Sequence, residues 1–318
     1  MNAVSRTVMD AYYLGTETML RAVGFRRPRV VQTAAALGML RSWIGYVGPR
    51  KSRRVFLEHM ANAVPEMPRK ELNGLLGRFW FYHQLRFLDL FTVDRLPPLE
   101  LEALIHYDGL GFLDAARSTG AGAIAVTLHV GDARIAHVAL GLKGYPVHLL
   151  SARYDDYGKR AREARLRSSR RYHAVHFLDE PLRWAHRQLA ASNVVFMAIS
   201  GYGGSRGHPQ RFLNEDIAFS SAPARLAMAT RAPVVPVVDL VDRHGLHHVR
   251  VHQPLEAPQR GEALPAFTHH LVRIFEGEVL RDLAQLDWIW YVIRCQEHRG
   301  EVPAYEEGAV IRARKSGG

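Results

Sequence analysis

The 318-residue chain reads as an α/β protein, with a largely parallel central sheet covered by helices on both faces and an N-terminal helical segment before it. Three observations predict this class. Apolar residues recur at helical spacing through the first 96 residues, with no strand-like run among them. From residue 104 onward, short Val-rich runs alternate with helical patterns, the signature of parallel strands buried on both faces. Pro97 and Pro98 mark the break between the two styles. The expected organisation is a helical segment over 1–96 packing on the core, an α/β domain over 97–300 and a polar tail over 301–318.

Taken in order, helices are expected over 5–22, 28–45, 51–63 and 68–93, punctuated by Pro49, Pro65 and Pro68. The fourth carries Leu72, Leu75, Leu76, Phe79, Tyr82, Leu85 and Phe87 near helical spacing, and its aromatic run Phe79–Tyr82 reads as core. The α/β part then predicts helix 108–118, strand 123–129, helix 132–142, strand 146–151, helix 156–171, strand 173–178, helix 180–191 and strand 193–199. A Gly-rich loop at 200–207 is followed by helix 221–230, strands 233–239 and 246–252, and helix 262–285. A turn over 241–245 makes those last two strands antiparallel.

The composition, 47% hydrophobic and 23% charged, fits a globular chain with a real core. A net charge of +11 points to an anionic partner, whether a membrane surface, nucleic acid or an acidic protein. Cys295 is the only cysteine, which excludes an intrachain disulfide and fits a reducing compartment. Arg6, Asp10 and Glu17 interrupt the first apolar segment, so no signal peptide is expected. The apolar run Val30–Leu40 is too short to span a bilayer. It either packs in the core or lies in a lipid interface, with Arg26, Arg27, Arg29, Arg41, Arg50 and Lys51 reaching phosphates. There is no P-loop, no G-x-G-x-x-G after a strand and no G-x-S-x-G elbow.

The chemistry is expected at Ala123–Arg134, AIAVTLHVGDAR. His129 stands where a buried strand stops, and ligands gather at the carboxyl ends of strands in open α/β sheets. An imidazole there can act as a base near neutral pH. Asp132 either assists His129 or caps the following helix. The strongly basic helix at 159–171 is either a solvated face or a docking surface for phosphates or an acidic protein, through Lys159, Arg160, Arg167 and Arg171. It has no aromatic interleaving, which argues against nucleic acid. His244, His247, His248 and His252 cluster on the late hairpin, but no Asp or Glu at close spacing completes a metal set, so they read as surface histidines.

Four blocks, in order, resemble the lipid A lauroyl/myristoyl acyltransferase family of the lysophospholipid-acyltransferase-like superfamily. Residues 53–67, RRVFLEHMANAVPEM, look like its Arg…Asn…Pro-Glu helical segment, and LHVGDAR at 128–134 stands at its His-x-Gly-Asn-Trp-Glu. Residues 219–239, FSSAPARLAMATRAPVVPVVD, are similar to its Ala-x-Leu-Ala and Pro-Val-Val-Pro segment. Residues 285–294, QLDWIWYVIR, resemble its terminal Trp-x-Trp-x-x-x-Arg block without the leading Pro, and Arg294 there reads as a fold prop. The resemblance implies transfer of an acyl group from a thioester on acyl carrier protein or CoA, carried on a phosphopantetheine arm, to a hydroxyl, with no resident cofactor or metal. It implies a His-x4-Asp/Glu pair in which the His is the general base and the acid orients the imidazole.

The pattern breaks at its acid: the position five after His129 is Arg134, which offers no acceptor to an imidazole. A second carboxylate expected after the strand at 193–199 is replaced by Ser200-Gly201-Tyr202. Either Asp132 takes over the acid's role, or Arg134 grips an anionic acceptor in a different thioester reaction such as condensation, cyclisation or hydrolysis. A catalytically inactive lipid- or anion-binding protein is the third reading. Arg134, Arg153, Ser200, Arg206, Ser220 and Ser221 are the substrate-binding candidates. A cytoplasmic location, peripheral on the inner face of the membrane, is expected.

Overall fold

The computed structural model describes residues 3–47, 50–151, 163, 166–167, 170–177, 183–200, 207–259 and 264–301. Four helices come first: α1 (Ala3–Val23), α2 (Arg27–Val47), α3 (Arg50–Ala63) and α4 (Arg69–Arg95), followed by the single turn α5 (Pro98–Glu102). Then come β1 (Ile105–Asp108), α6 (Leu110–Ser118), β2 (Ala123–Thr127), α7 (Ala133–Leu142), β3 (Val147–Ser151), β4 (Ala174–Phe177), α8 (Arg183–Ala190) and β5 (Val194–Ala198). After these follow β6 (His208–Phe212), β7 (Glu215–Phe219), α9 (Ala222–Thr230), β8 (Val234–Val241), β9 (His247–Val251), α10 (Leu264–Arg281), a 3-10 turn (Leu283–Gln285) and α11 (Trp288–His298).

Seven strands form one sheet in the order β1-β9-β8-β2-β5-β3-β4. β2 lies at its centre, parallel to both β8 and β5. β9 runs antiparallel to β8, as the turn between them dictates, and β1 pairs parallel with β9 at the edge. All five residues of β2 are buried. Strand alternation sends Ile124 and Val126 into a cluster shared with the N-terminal helices and α11, and Ala123 and Ala125 into the cluster under α6 and α7. The sheet is thus covered on both faces, as the Val-rich runs require.

The second half of α4 is largely buried from Leu88 to Val93, the polar Asp89 and Thr92 included. α2 packs along it at Gly38, where a Cβ would stand 2.9 Å from the backbone of Phe81. Val30 and Ala34 of α2 are fully buried, yet Met39, Leu40 and Trp43 are exposed, so one helix has both a core face and an open apolar face. Among the described residues, no helix is long and apolar enough to cross a membrane.

A buried polar chain ties α2 and α4 to the sheet. Arg27 pairs with Asp89 through Nη1 and Nη2, and its Nε donates to the Gly245 carbonyl at 2.6 Å. His247 Nε2 lies 3.4 Å from Asp89 Oδ2, and Nδ1 lies 2.7 Å from Asp239 Oδ2. This corrects the reading of His247 as a surface group, because it is 1% exposed, whereas His244 and His248 are exposed as expected. Burial alone would lower the His247 pKa, but Asp239 and then Asp89 overcome it and raise it to about 9. Burial would raise Asp89, yet Arg27 and His247 hold it far below the usual carboxylate range. Burial keeps Asp239 above that range against the pull of His247.

Several element boundaries differ from expectation. A four-residue strand, β1, precedes α6, where a helix was expected to begin at 108. The expected helix over 262–285 stops at Arg281, because Asp282 turns extended and its side chain caps the 3-10 turn. The antiparallel ribbon β6–β7 and helix α11 add elements the periodicity did not separate. The basic helix expected over 156–171 lies mostly outside the described residues.

Candidate active site

His129 follows β2 at its carboxyl end, and three segments fix the backbone there. The Asp287 N–H donates to the His129 carbonyl at 2.9 Å, and the Gly131 N–H donates to the Gln285 carbonyl at 2.9 Å. Arg86 Nη1, from α4, donates to the carbonyls of Gly131 and Gln285 at 3.0 and 3.3 Å. On the other side Gly131 presses on the end of β8, with a φ of +56° and a virtual Cβ only 1.5 Å from the Asp239 carbonyl oxygen, so no side chain fits there. A sharp glycine turn jammed between β8 and the 3-10 segment therefore sets the direction in which His129 leaves the strand.

The ring itself is held from two directions. Its Nδ1 lies 2.5 Å from Ser200 Oγ, which also accepts the His129 backbone N–H at 3.1 Å. Its face stacks on Trp290, centroids 5.6 Å apart and planes within 11°. Trp290 Nε1 in turn donates to the Ser200 carbonyl at 2.9 Å, closing a ring of contacts through β5, β2 and α11. Ser200 and Trp290 are fully buried, while His129 keeps part of its surface exposed. A hydroxyl oxygen has two lone pairs, so Ser200 can accept from both the backbone and Nδ1–H. In that tautomer Nε2 carries the lone pair and is competent as a base.

The two residues weighed as acid and anchor are clasped together. Asp132 caps α7 by accepting the Arg134 backbone N–H at 3.0 Å. The Arg134 guanidinium folds back on the same carboxylate, Nε to Oδ1 at 3.1 Å and Nη2 to Oδ2 at 2.7 Å, and Nη2 also donates to the Arg86 carbonyl. So Arg134 joins α7 to α4, and Asp132, 2% exposed, is directed into that clasp. Ser220 lies beside the site: its N–H donates to the Ile199 carbonyl at 2.9 Å, and its Oγ accepts the Ala222 N–H at 3.2 Å. Ser221 is buried at the start of α9, and its Oγ accepts from Arg225 Nε at 3.0 Å.

Arg167 and Arg171 are brought to the end of α4 instead. Arg167 Nε meets Asp94 Oδ2 at 2.9 Å, and Arg171 Nη1 donates to the carbonyls of Val93 and Asp94. Arg153, Lys159, Arg160 and Arg206 lie outside the described residues. Arg294 pairs with Glu297 at 2.6 Å and donates to the Ala218 carbonyl at 3.1 Å, which matches the role of a prop.

One carboxylate at the site was not singled out from the sequence. Asp287 caps α11, its Oδ1 accepting from the N–H groups of Ile289 and Trp290 at 3.1 and 3.2 Å. Burial would raise its pKa, but the charges of Arg86, His83 and His129 and the cap bonds hold it below the usual carboxylate range. A residue next to Trp288 in a Trp-rich block reads from sequence as a helix cap, and nothing in the spacing links it to a strand end 158 positions earlier. Arg86 was missed for the same reason; its Nη2 is buried and has no hydrogen-bond partner among the described residues.

Among the described residues, no group of three His, Cys, Asp or Glu side chains could hold a metal ion. A cleft of about 700 Å³ between Leu255 and Phe267 opens near Val234, at the opposite end of the sheet from His129.

The family described as bacterial lipid A biosynthesis acyltransferase matches the chain over residues 11–294. No curated protein sequence matches it.

Proposed function

The chain belongs to the bacterial lipid A biosynthesis acyltransferase family, and from that membership we propose that it moves an acyl group from a thioester donor to a hydroxyl or amine acceptor, with His129 as general base. The observation that carries this reading is the half-buried imidazole at the end of β2, its Nδ1 on Ser200 and its face on Trp290. Nε2 takes the proton of the acceptor as its oxygen or nitrogen attacks the thioester carbonyl. The tetrahedral intermediate collapses, the C–S bond breaks, and the imidazolium returns its proton to the departing thiolate. Atoms and charge balance with no further reactant.

The donor is the phosphopantetheine thioester of acyl carrier protein or CoA, and the net charge of +11 suits an acidic carrier. The acceptor comes from a lipid surface. Exposed Met39, Leu40 and Trp43 on α2 support a peripheral seat on an anionic bilayer, which corresponds to the inner face of the membrane. Arg41 on the same helix stacks over Trp80, 4.9 Å from its centroid, and the Trp80 ring is 5.5 Å from that of His83. His83 in turn acts electrostatically on Asp287.

Arg134 in the acid's position supports a second reading, a carrier-protein thioester enzyme that condenses, cyclises or hydrolyses its substrate. Mass spectrometry separates the two. Purified protein is incubated with acyl-CoA or acyl carrier protein and a hydroxylated lipid in vesicles. A product heavier than the acceptor by one acyl group, absent with His129→Ala, supports acyl transfer. Free acid or a cyclised acyl chain with no acceptor adduct supports the second reading. Vesicle binding with no turnover of any donor would leave an inactive lipid-binding protein.

A further inference from the structure

We propose that Asp287 is the positioning carboxylate of His129, supplying from the cap of α11 the negative charge that Arg134 withholds. The inference rests on the reading of His129 as the base. It stands on three observations of geometry and charge. First, the carboxylate expected to serve His129 is already engaged: Asp132 is held by the α7 amide and by both arms of the Arg134 guanidinium. Second, Asp287 is fastened to His129 itself, because its N–H donates to the His129 carbonyl at 2.9 Å. Its Oδ1 caps the helix whose Trp290 carries the imidazole face, so the cap sets the ring's platform as well as its charge environment. Third, Arg86, His83 and His129 all act electrostatically on this one carboxylate.

Ser200 after β5 and Trp290 of α11 touch the His129 ring; Asp287 is acted on by His129 and by His83 and Arg86 of α4, while Asp132 pairs with Arg134 at the start of α7. Arg134 and Asp132 neutralise each other. That leaves Arg86 as a fixed cation beside the site and Asp287 as the charge that offsets it. When His129 takes the acceptor's proton, the imidazolium forms next to Asp287, and attraction between them stabilises the charged intermediate state. Asp287 acts through its field and through Trp290, without touching substrate.

Asp287→Asn is the informative variant. Asn caps helices about as well as Asp, so α11 keeps its start while the charge goes. The expected result is a kcat lower by about tenfold with KM little changed, and an acidic limb of the kcat/KM profile displaced about 0.5–1 pH unit downward. Asp287→Ser, another good cap without charge, should give the same displacement. A second readout needs no turnover. The Cε1–H resonance of His129, assigned by its loss in His129→Ala, is titrated in the full-length protein and in Asp287→Asn. Its midpoint should fall by about 0.5–1 unit in the variant. An unmoved midpoint overturns the proposal, whatever the activity. A displaced midpoint in a protein that acylates nothing sustains the proposal and removes the acyl-transfer reading instead.

Discussion

His247 makes the fold's stability depend on pH in a direction that can be worked out beforehand. The ring is almost fully buried between Asp239 and Asp89, and its folded-state pKa is raised to about 9 from the ordinary 6.5. A raised value means that the protonated ring is favoured by folding. The stabilisation is therefore complete below pH 6.5 and drains away as pH rises through about 9. A displacement of that size corresponds to about 3 kcal/mol, a large share of a typical folding free energy. The buried histidines His137 and His173 have lowered values, His137 through burial and then His173, and His173 through burial and then His148. Their contribution runs the other way, being complete above pH 6.5 and lost as pH falls, so it leaves the alkaline window undisturbed. Urea denaturation at pH 7, 8 and 9, with the slope m held common, should show unfolding free energy falling by about 2 kcal/mol across the series. His247→Asn should be less stable at pH 7 and nearly flat above it. A wild-type curve flat from pH 7 to 9, or an equal decline in His247→Asn, would refute the buried-network argument.

Two further predictions concern the turn that aims His129. Gly131→Ala places a Cβ against the Asp239 carbonyl oxygen in a left-handed backbone conformation and should cost roughly 3 kcal/mol or more, read as a lower urea midpoint; an unchanged midpoint would mean that the turn is not as tight as described. Arg134→Ala should lose about 1–3 kcal/mol by leaving Asp132 without its guanidinium, while acceptor KM changes less than about threefold. Unchanged stability with a strongly raised acceptor KM would put that guanidinium on the substrate.

The parts of this molecule that sequence exposes are those in which one short stretch carries its own signal. β2 is five buried residues between glycines, and His129 falls one residue past the next apolar position, Leu128, so strand, turn and helix follow from local pattern. β1 is four residues with only one buried, so it has no periodicity to read, and its pairing to β9 is decided by tertiary contact. The β6–β7 ribbon turns at Leu213 and Asn214, both at positive φ, without the glycine that marks most tight hairpins. Alternation does set His247 on the opposite face from His248, but only the fold shows that Asp89, on a helix far earlier in the chain, waits on that face. The same holds at the site. Asp132 and Arg134 are two residues apart and could pair with each other or serve His129. Only the position of the Arg86 carbonyl, which accepts from Arg134, shows which geometry is completed. Asp287 reaches His129 across the whole α/β domain, and such proximity has no sequence period.

In the proposed reaction one imidazole removes the acceptor's proton. The most direct measurement is the initial rate of free-thiol release from an acyl thioester in the presence of acceptor lipid, wild type against His129→Ala, with thermal stability recorded on the same samples. Loss of a general base predicts a rate lower by about 10²–10⁴-fold at nearly unchanged melting temperature. An alanine variant that releases thiol at the wild-type rate would contradict it.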